Sequence, residues 1–343
     1  MRIFVGEYVC GGGFGKHSLE QISFGMRSEG GAMLRAIVAD LSDLSEVADV
    51  VVPIDPRLVR DVGNVRTVEM DANKPLWGQW VAAARDCDAA LIVAPESRGV
   101  LAQAVATLRA GGIDVLASTG DFLRVASDKL QTAKVMFSAG VAHPPYLATS
   151  DRRFEQELAK YERFVVKPRD GCGTQELEPF NSLAEATASM KDEHILQAWM
   201  PGDAVSVSLV SSANEQTFLP AVRQNLTEQV WEYAGGCGPL DDESQRRAMA
   251  LAARAIAAMP PTPRGFVGVD LLLGERPSED CVIEINARLT TSYVGLRRMI
   301  NGNLSARLFD LETGPVSCHA AVDSVRWTPD GRVWINDAVA ESA

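Results

Sequence analysis

The spacing of apolar residues changes along the chain, and the changes divide it. Over residues 1–117, short apolar runs at Ile3–Val5, Val50–Pro53, Ala89–Ala94 and Ile113–Leu116 alternate with stretches of helical spacing. One such stretch reaches to about Leu44, and others cover Trp77–Arg85 and Ser97–Arg109. The nearly continuous run Ala89–Ala94 suits a strand covered on both faces, and the rhythm predicts a small open α/β domain. From Ser118 to Gly140, Leu123, Ala126, Leu130, Ala133 and Phe137 recur at three- and four-residue steps. That predicts two short helices sharing one buried stripe, with Ser127 or Asp128 as a cap. Phe164–Pro168 and Ile195–Met200 read as strands flanking a helix at Ser182–Lys191. Ala204–Val210 alternates strictly, which puts Val205, Val207 and Leu209 inward and Ser206 and Ser208 outward. A strand at Phe218–Val222, a glycine loop at Gly235–Pro239, a long helix at Ser244–Met259, a helix at Tyr293–Ile300 and a hairpin within Val325–Ile335 complete the pattern. The predicted units are residues 1–117, 118–196 and 197–336, with a frayed tail at 337–343.

The late hairpin carries the most chemistry. Gly265–Leu273 and Cys281–Arg288 read as strands joined by a turn-rich segment. If Leu273 pairs with Cys281, Asp270 lies opposite Glu284, with Asn286 and Arg288 further along the same face. Cys281, Ile283 and Ile285 then face the core. Two carboxylates and an amide oxygen form a hard-oxygen cradle suited to Mg²⁺, and Arg288 offers a planar fork for phosphate or an oxyanion. The same residues also fit a sheet face whose acids pair with Arg288 or nearby lysines.

Composition narrows the classes. The 343 residues are 46% hydrophobic and 23% charged, with a net charge of −12. That balance argues against a general nucleic-acid or anionic-membrane binder. The six cysteines fall in no CxxC or zinc-type spacing, so reduced thiols are expected. No apolar run approaches ~18–20 residues, and the chain enters a strand at once from Met1, so a cytoplasmic location is expected. The Gly11–Gly15 loop fails as a phosphate loop, having Cys10 where glycine is needed and His17 where Ser or Thr is needed.

Each motif alone is common, but their order is specific. Ser127–Lys129 comes first, then Phe164–Gly173, then Leu196–Gly202, then Asp270, then Glu284–Arg288. The series resembles the ATP-grasp superfamily of carboxylate–amine ligases over essentially the whole chain. Val93-Ala-Pro-Glu96, Val222-Arg-Gln-Asn225, Tyr233–Gly236 and Glu284–Gly295 are most similar to the ligase group that joins glutamate to tyramine in methanofuran biosynthesis. The ligase of pyrrolysine biosynthesis is a more distant likeness.

The resemblance implies an N-terminal α/β domain followed by two α+β subdomains that clamp ATP. It implies that Lys129 and Lys167 hold the phosphates under a lid at Gly171, Cys172, Gly173 and Thr174. Gln197, Ala198, Trp199 and Met200 would form the hinge at adenine. One or two Mg²⁺, with Mn²⁺ able to stand in, would sit on Asp270, Glu284 and Asn286. Lys167 and Arg288 would act on the reacting groups. Ala204 stands where many relatives grip ribose with Glu, so Asp203 or a serine is the expected substitute. Thr290, Thr291 and Ser292 would bind a substrate carboxylate through hydroxyls and helix-start amides, though a bare helix cap fits them too. Arg223, Gln224 and Glu96 are weaker candidates, and a surface ion pair also accounts for Arg223.

The implied activity is ATP-dependent amide formation between an amino-acid carboxylate, with glutamate a candidate, and an amine. It would proceed through an acyl phosphate, and the resemblance implies a setting in the synthesis of a C1-carrier coenzyme. The implied partners are a small carboxylate and a small amine, with no nucleic acid and no membrane; a homodimer stays open. An ATP-binding scaffold without turnover is the alternative, and Ala204 leans that way.

Overall fold

The computed structural model describes residues 1–59, 62–171, 177–227 and 232–341. Five parallel strands build the first layer, in the order β3-β2-β1-β4-β5: β1 (Arg2–Glu7), β2 (Asp49–Ile54), β3 (Arg66–Glu69), β4 (Ala89–Val93) and β5 (Val115–Leu116). Helices α1 (Phe24–Ser42), α2 (Leu76–Ala84) and α3 (Val100–Ala110) cover its faces. Every residue of β4 is buried, as an apolar strand without alternation requires. The order of strand addition reverses between β1 and β4, which run parallel, so their carboxyl ends, near Glu7 and Glu96, border the crevice where such sheets take ligands.

Next come α4 (Gly120–Ala126) and α5 (Lys129–Ser138), the latter capped by Asp128, whose carboxylate accepts from the Leu130 and Gln131 amides. The stripe at Leu123, Ala126, Leu130 and Ala133 is buried, but Met136 takes the inward position expected of Phe137, which is exposed. A four-stranded antiparallel sheet, ordered β6-β9-β7-β8, is formed by β6 (Tyr146–Leu147), β7 (Phe164–Pro168), β8 (Glu178–Phe180) and β9 (His194–Ala198). Helices α6 (Glu155–Leu158) and α7 (Leu183–Ser189) accompany it. Gln197 and Ala198 belong to β9, so the crossing to the next sheet falls after Ala198, not at 196.

The largest sheet has nine strands: β10 (Asp203–Ser211), β11 (Gln216–Phe218), β12 (Val222–Leu226), β13 (Tyr233–Gly238), β14 (Gly265–Leu273), β15 (Cys281–Asn286), β16 (Val325–Trp327), β17 (Val333–Ile335) and β18 (Ala338–Glu341). Helices α8 (Asp242–Ala258), α9 (Ser292–Met299) and α10 (Leu304–Leu308) pack with it. Several expectations change here. Residues 219–221 link β11 to β12, so the strand expected at Phe218–Val222 is instead the end of one strand and the start of the next. The glycines at 235, 236 and 238 lie inside β13, where Trp327 crosses so closely that a Cβ on Gly236 would lie 2.4 Å from its ring. Within the tail expected to fray, Ala338–Glu341 instead pairs with β17 as β18. Ser206 and Ser208 are as buried as the valines beside them, since β10 is central and covered on both faces. The five cysteines among the described residues are free. No helix among the described residues is long and apolar enough to cross a membrane.

A buried ion pair ties the first layer to the last. Asp40 on α1 accepts from the Arg297 Nε at 2.7 Å and from the Tyr293 hydroxyl, and its carbonyl accepts from Asn303. It thereby fixes α9, whose start follows directly on the hairpin chemistry.

Candidate functional site

β14 and β15 pair antiparallel with Asp270 opposite Glu284 and Gly268 opposite Asn286. The register shifts at Asp270/Leu271, so Leu272, not Leu273, faces Cys281. Ile283 is the extra residue of this bulge. The bulge interrupts the alternation: Val282 enters the core, while Ile283 turns into the cavity instead of packing inward as expected. β15 ends at Asn286, so Arg288 stands on the following turn, not within the strand.

A cavity of about 420 Å³ lies between the four-stranded and nine-stranded sheets. Lys129, Lys167, Asp270, Glu284, Asn286 and Arg288 line its polar end. Gln197, Ala198, Trp199, Met200 and Ala204 line the hinge end, and Thr290, Thr291 and Ser292 a third side. Lys129 and Lys167 are both buried, the first starting α5 and the second on β7, where Val165 shares its face. Lys129 Nζ lies 3.3 Å from Glu284 Oε2 and donates to the Gly171 carbonyl.

Asp270 accepts from Gln224 Nε2 and Asn286 Nδ2, each at 2.9 Å. Burial, then the neighbouring Glu284, pushes the Asp270 carboxyl up to about 6. Burial alone would also raise Glu284, but Lys129 and Lys167 outweigh it and hold that carboxyl below its ordinary value. Lys167 is brought down to about 8, first by burial and then by Lys129. One member of each sign, Asp270 and Lys167, is thus held charged at a cost, as suits a site that receives further charge of both signs.

The donor set admits a hard divalent cation. Among the described residues no cluster of three or more His, Cys, Asp or Glu is gathered. What the hairpin offers is two opposed carboxylates and one amide, the donors of an ion that keeps water and phosphate oxygens as its other ligands.

Other expected residues sit elsewhere. Arg288 donates from Nε to Glu96 Oε2 at 2.8 Å, which brings the carboxyl end of β4 to the cavity wall. Arg223 pairs at 2.6 Å with Asp203 on the surface, and neither lines the cavity, so the surface ion pair is the right account of Arg223. Asp203, the expected substitute at the ribose, thus lies outside the cavity that Ala204 lines. Cys172, Gly173 and Thr174 lie outside the described residues. Ser292 Oγ lies 2.7 Å from Thr290 Oγ1 and 3.3 Å from Ser208 Oγ. Sequence reasoning missed Ile283 and Glu29 as cavity residues: a bulge leaves no compositional mark, and Glu29 lies in a helix far in sequence from the lysine and hairpin motifs.

A parallel sheet, a small antiparallel sheet and a large one, with lysines and acids converging between the latter two, define an enzyme that closes two sheets on a nucleotide. An ATP-grasp domain model matches residues 126–292, and a pre-ATP-grasp domain model matches residues 48–121. The chain belongs to the ATP-grasp superfamily and is an ATP-dependent ligase. Among characterised relatives it is similar to tyramine–L-glutamate ligase of Methanocaldococcus fervens, 24% identical over 275 residues, covering 80% of this chain and 84% of that one. The enzyme of the same name from Methanocaldococcus jannaschii is 25% identical over 210 residues, covering 61% and 58%. Among solved structures, an ATP-grasp superfamily protein of Archaeoglobus fulgidus superposes with a TM-score of 0.69 at 23% identity, covering 95% of this chain and 92% of that one. N5-carboxyaminoimidazole synthetase of Staphylococcus aureus with ADP gives 0.64 at 14% identity, covering 92% and 79%. These structures speak for the fold.

Proposed function

We propose that this ligase joins the carboxylate of an amino acid, glutamate in the first instance, to a primary amine by way of an acyl phosphate. The observation that carries the reading is the convergence of Lys129, Lys167, Asp270, Glu284 and Arg288 on one cavity. Sequence likeness to enzymes that join tyramine to glutamate supports it, and membership of a C1-carrier coenzyme pathway rests on that likeness alone.

A carboxylate does not react with an amine at neutral pH, because oxide is too poor a leaving group. Transfer of a phosphoryl group to it supplies a better one. Catalysis then consists of placing the reactants and neutralising charge. Lys129 and Lys167, both lining the polar end of the cavity, would hold the triphosphate. Asp270, Glu284 and Asn286 would hold Mg²⁺, which when bound offsets charge on the phosphates. Arg288 faces the reacting end and would steady the oxyanion.

The adenine edge is assigned to the hinge. The amides of Ala198 and Trp199 are already donated to the carbonyls of Pro145 and Arg163, at 3.0 and 2.9 Å, so the Met200 amide would be the hinge's backbone donor to the base. Burial brings the His143 imidazole down to about 4, so it is neutral, and its Nδ1 lies 2.9 Å from the Pro144 carbonyl. The proton therefore belongs on Nδ1, and Nε2 accepts from Gln197 Nε2 at 3.4 Å. Gln197 then keeps its oxygen for an exocyclic amino group.

With glutamate, tyramine and Mg²⁺-ATP together, release of ADP and phosphate should exceed the rate with any one component omitted by about tenfold or more. If ATP binds but no acid–amine pair raises release, the ligation reading fails for these substrates.

A further inference from the structure

The substrate end of the cavity holds an acid that phosphate and metal chemistry leave unused. Glu29 lies on α1, in the N-terminal layer, and lines the same cavity as Arg288, Thr291 and Tyr233. It is half-buried and makes no hydrogen bond or ion pair with a described residue. Gly30 beside it lets α1 pass close to Glu7, since a Cβ there would sit 2.8 Å from the Glu7 carboxyl.

Charge counting shows what this end lacks. Arg288 pairs with Glu96 at 2.8 Å and interacts over longer range with Glu7 and Glu29 at this end and with Asp270 and Glu284 at the polar end. Glu7 is fully buried and its carboxyl is raised by that burial, which favours its neutral form. Glu96 cancels Arg288. Glu29 remains as a surplus negative charge at the wall of a cavity. In addition, Glu96 Oε1 is buried without a hydrogen-bond partner. A cationic donor is the ligand this arrangement calls for, and the nearby walls from Val222, Leu226, Tyr233 and Trp327 suit a largely apolar body behind it.

We propose that Glu29 binds the ammonium group of the incoming amine and takes its proton before attack. The proposal rests on the ligase reading above and deepens it, naming the nucleophile as a protonated primary amine on an apolar or aromatic frame. In the step, an N–H bond breaks and its proton passes to a Glu29 oxygen, leaving the electron pair on nitrogen. That pair forms the C–N bond at the acyl carbon, the C–O bond to the phosphoryl group breaks, and phosphate departs with its electrons. The departing phosphate takes the second proton lost from nitrogen. Burial first, with Glu232 adding and Arg288 opposing, sets the Glu29 carboxyl up at about 6, where it is ionised at neutral pH yet basic enough to accept. The charged or titratable groups facing it are Arg288, Glu232, Tyr233 and, beneath α1, Glu7.

The test compares two nucleophiles on the same acyl phosphate. Wild type, Glu29→Gln and Glu29→Asp are each assayed with glutamate and Mg²⁺-ATP, once with tyramine and once with hydroxylamine, which is uncharged at neutral pH. The ratio of amide to hydroxamate should fall by about 10²-fold in Glu29→Gln and recover in part in Glu29→Asp. An unchanged ratio in both variants overturns the assignment. Should wild type form neither product, the ligase reading itself fails and Glu29 with it; hydroxamate in wild type with an unaltered ratio sinks Glu29 alone.

Discussion

Lys167→Ala is expected to lower kcat/KM for ATP-dependent amide formation by about 10³-fold or more while leaving the protein folded. The loss follows from position: the Lys167 ammonium sits on β7, buried at the polar end of the cavity, opposite Asp270 and Glu284. A preorganised cation in a water-poor site is worth about 3–4 kcal/mol to a transition state that gathers charge. Survival of the fold follows from the sign of its pKa shift. Burial and Lys129 bring Lys167 down to about 8, so the native state disfavours its charged form, and truncation relieves that penalty. Glu284 keeps Lys129 at 3.3 Å. Product formation against thermal unfolding separates the two effects. A variant with wild-type turnover would show that the lysine is structural, and one that does not fold would show that the cavity depends on it.

Asp40→Ala should destabilise the protein by about 3–5 kcal/mol, the scale for removing one partner of a buried ion pair. Asp40 is 6% exposed and Arg297 9%. The aspartate serves Arg297 and Tyr293 together, and burial raises its carboxyl although Arg297 opposes the rise. Without it the α1–α9 contact loses its polar centre. Arg223→Ala is the control, because its pair with Asp203 is exposed and should be worth about 0.2–1 kcal/mol. Urea unfolding of both variants decides the matter: equal shifts would mean that the buried pair does not hold the layers together.

The parts of this molecule that were legible from sequence are those whose signal is local. Ala89–Val93 announces a covered strand by its composition, Asp128 announces a helix start, and the turn-rich segment at 274–280 announces the hairpin, in which the bulge at Ile283 restores Asp270 opposite Glu284. What stayed hidden depends on partners distant in the chain. Ser206 and Ser208 read as an outer face, because nothing near them reveals that a second layer covers it. The glycines of β13 looked like a loop until Trp327, about ninety residues later, supplied the reason for their size. Perfect alternation would send Ile283 into the core, but one bulge, invisible in the local pattern, turns it to the cavity. Arg223 and Asp203 each suited a ligand, yet they satisfy one another. Glu29 lies within a helix whose pattern gives no hint that its amino-terminal part borders a cavity shared with β13 and the hairpin.

The most direct trial of the central claim follows one oxygen atom. If the carboxylate is activated as an acyl phosphate, glutamate carrying ¹⁸O in its reacting carboxylate should transfer one labelled oxygen to inorganic phosphate per amide formed, with ADP as the nucleotide product. Label appearing in AMP, or amide formed with no label in phosphate, would contradict the account.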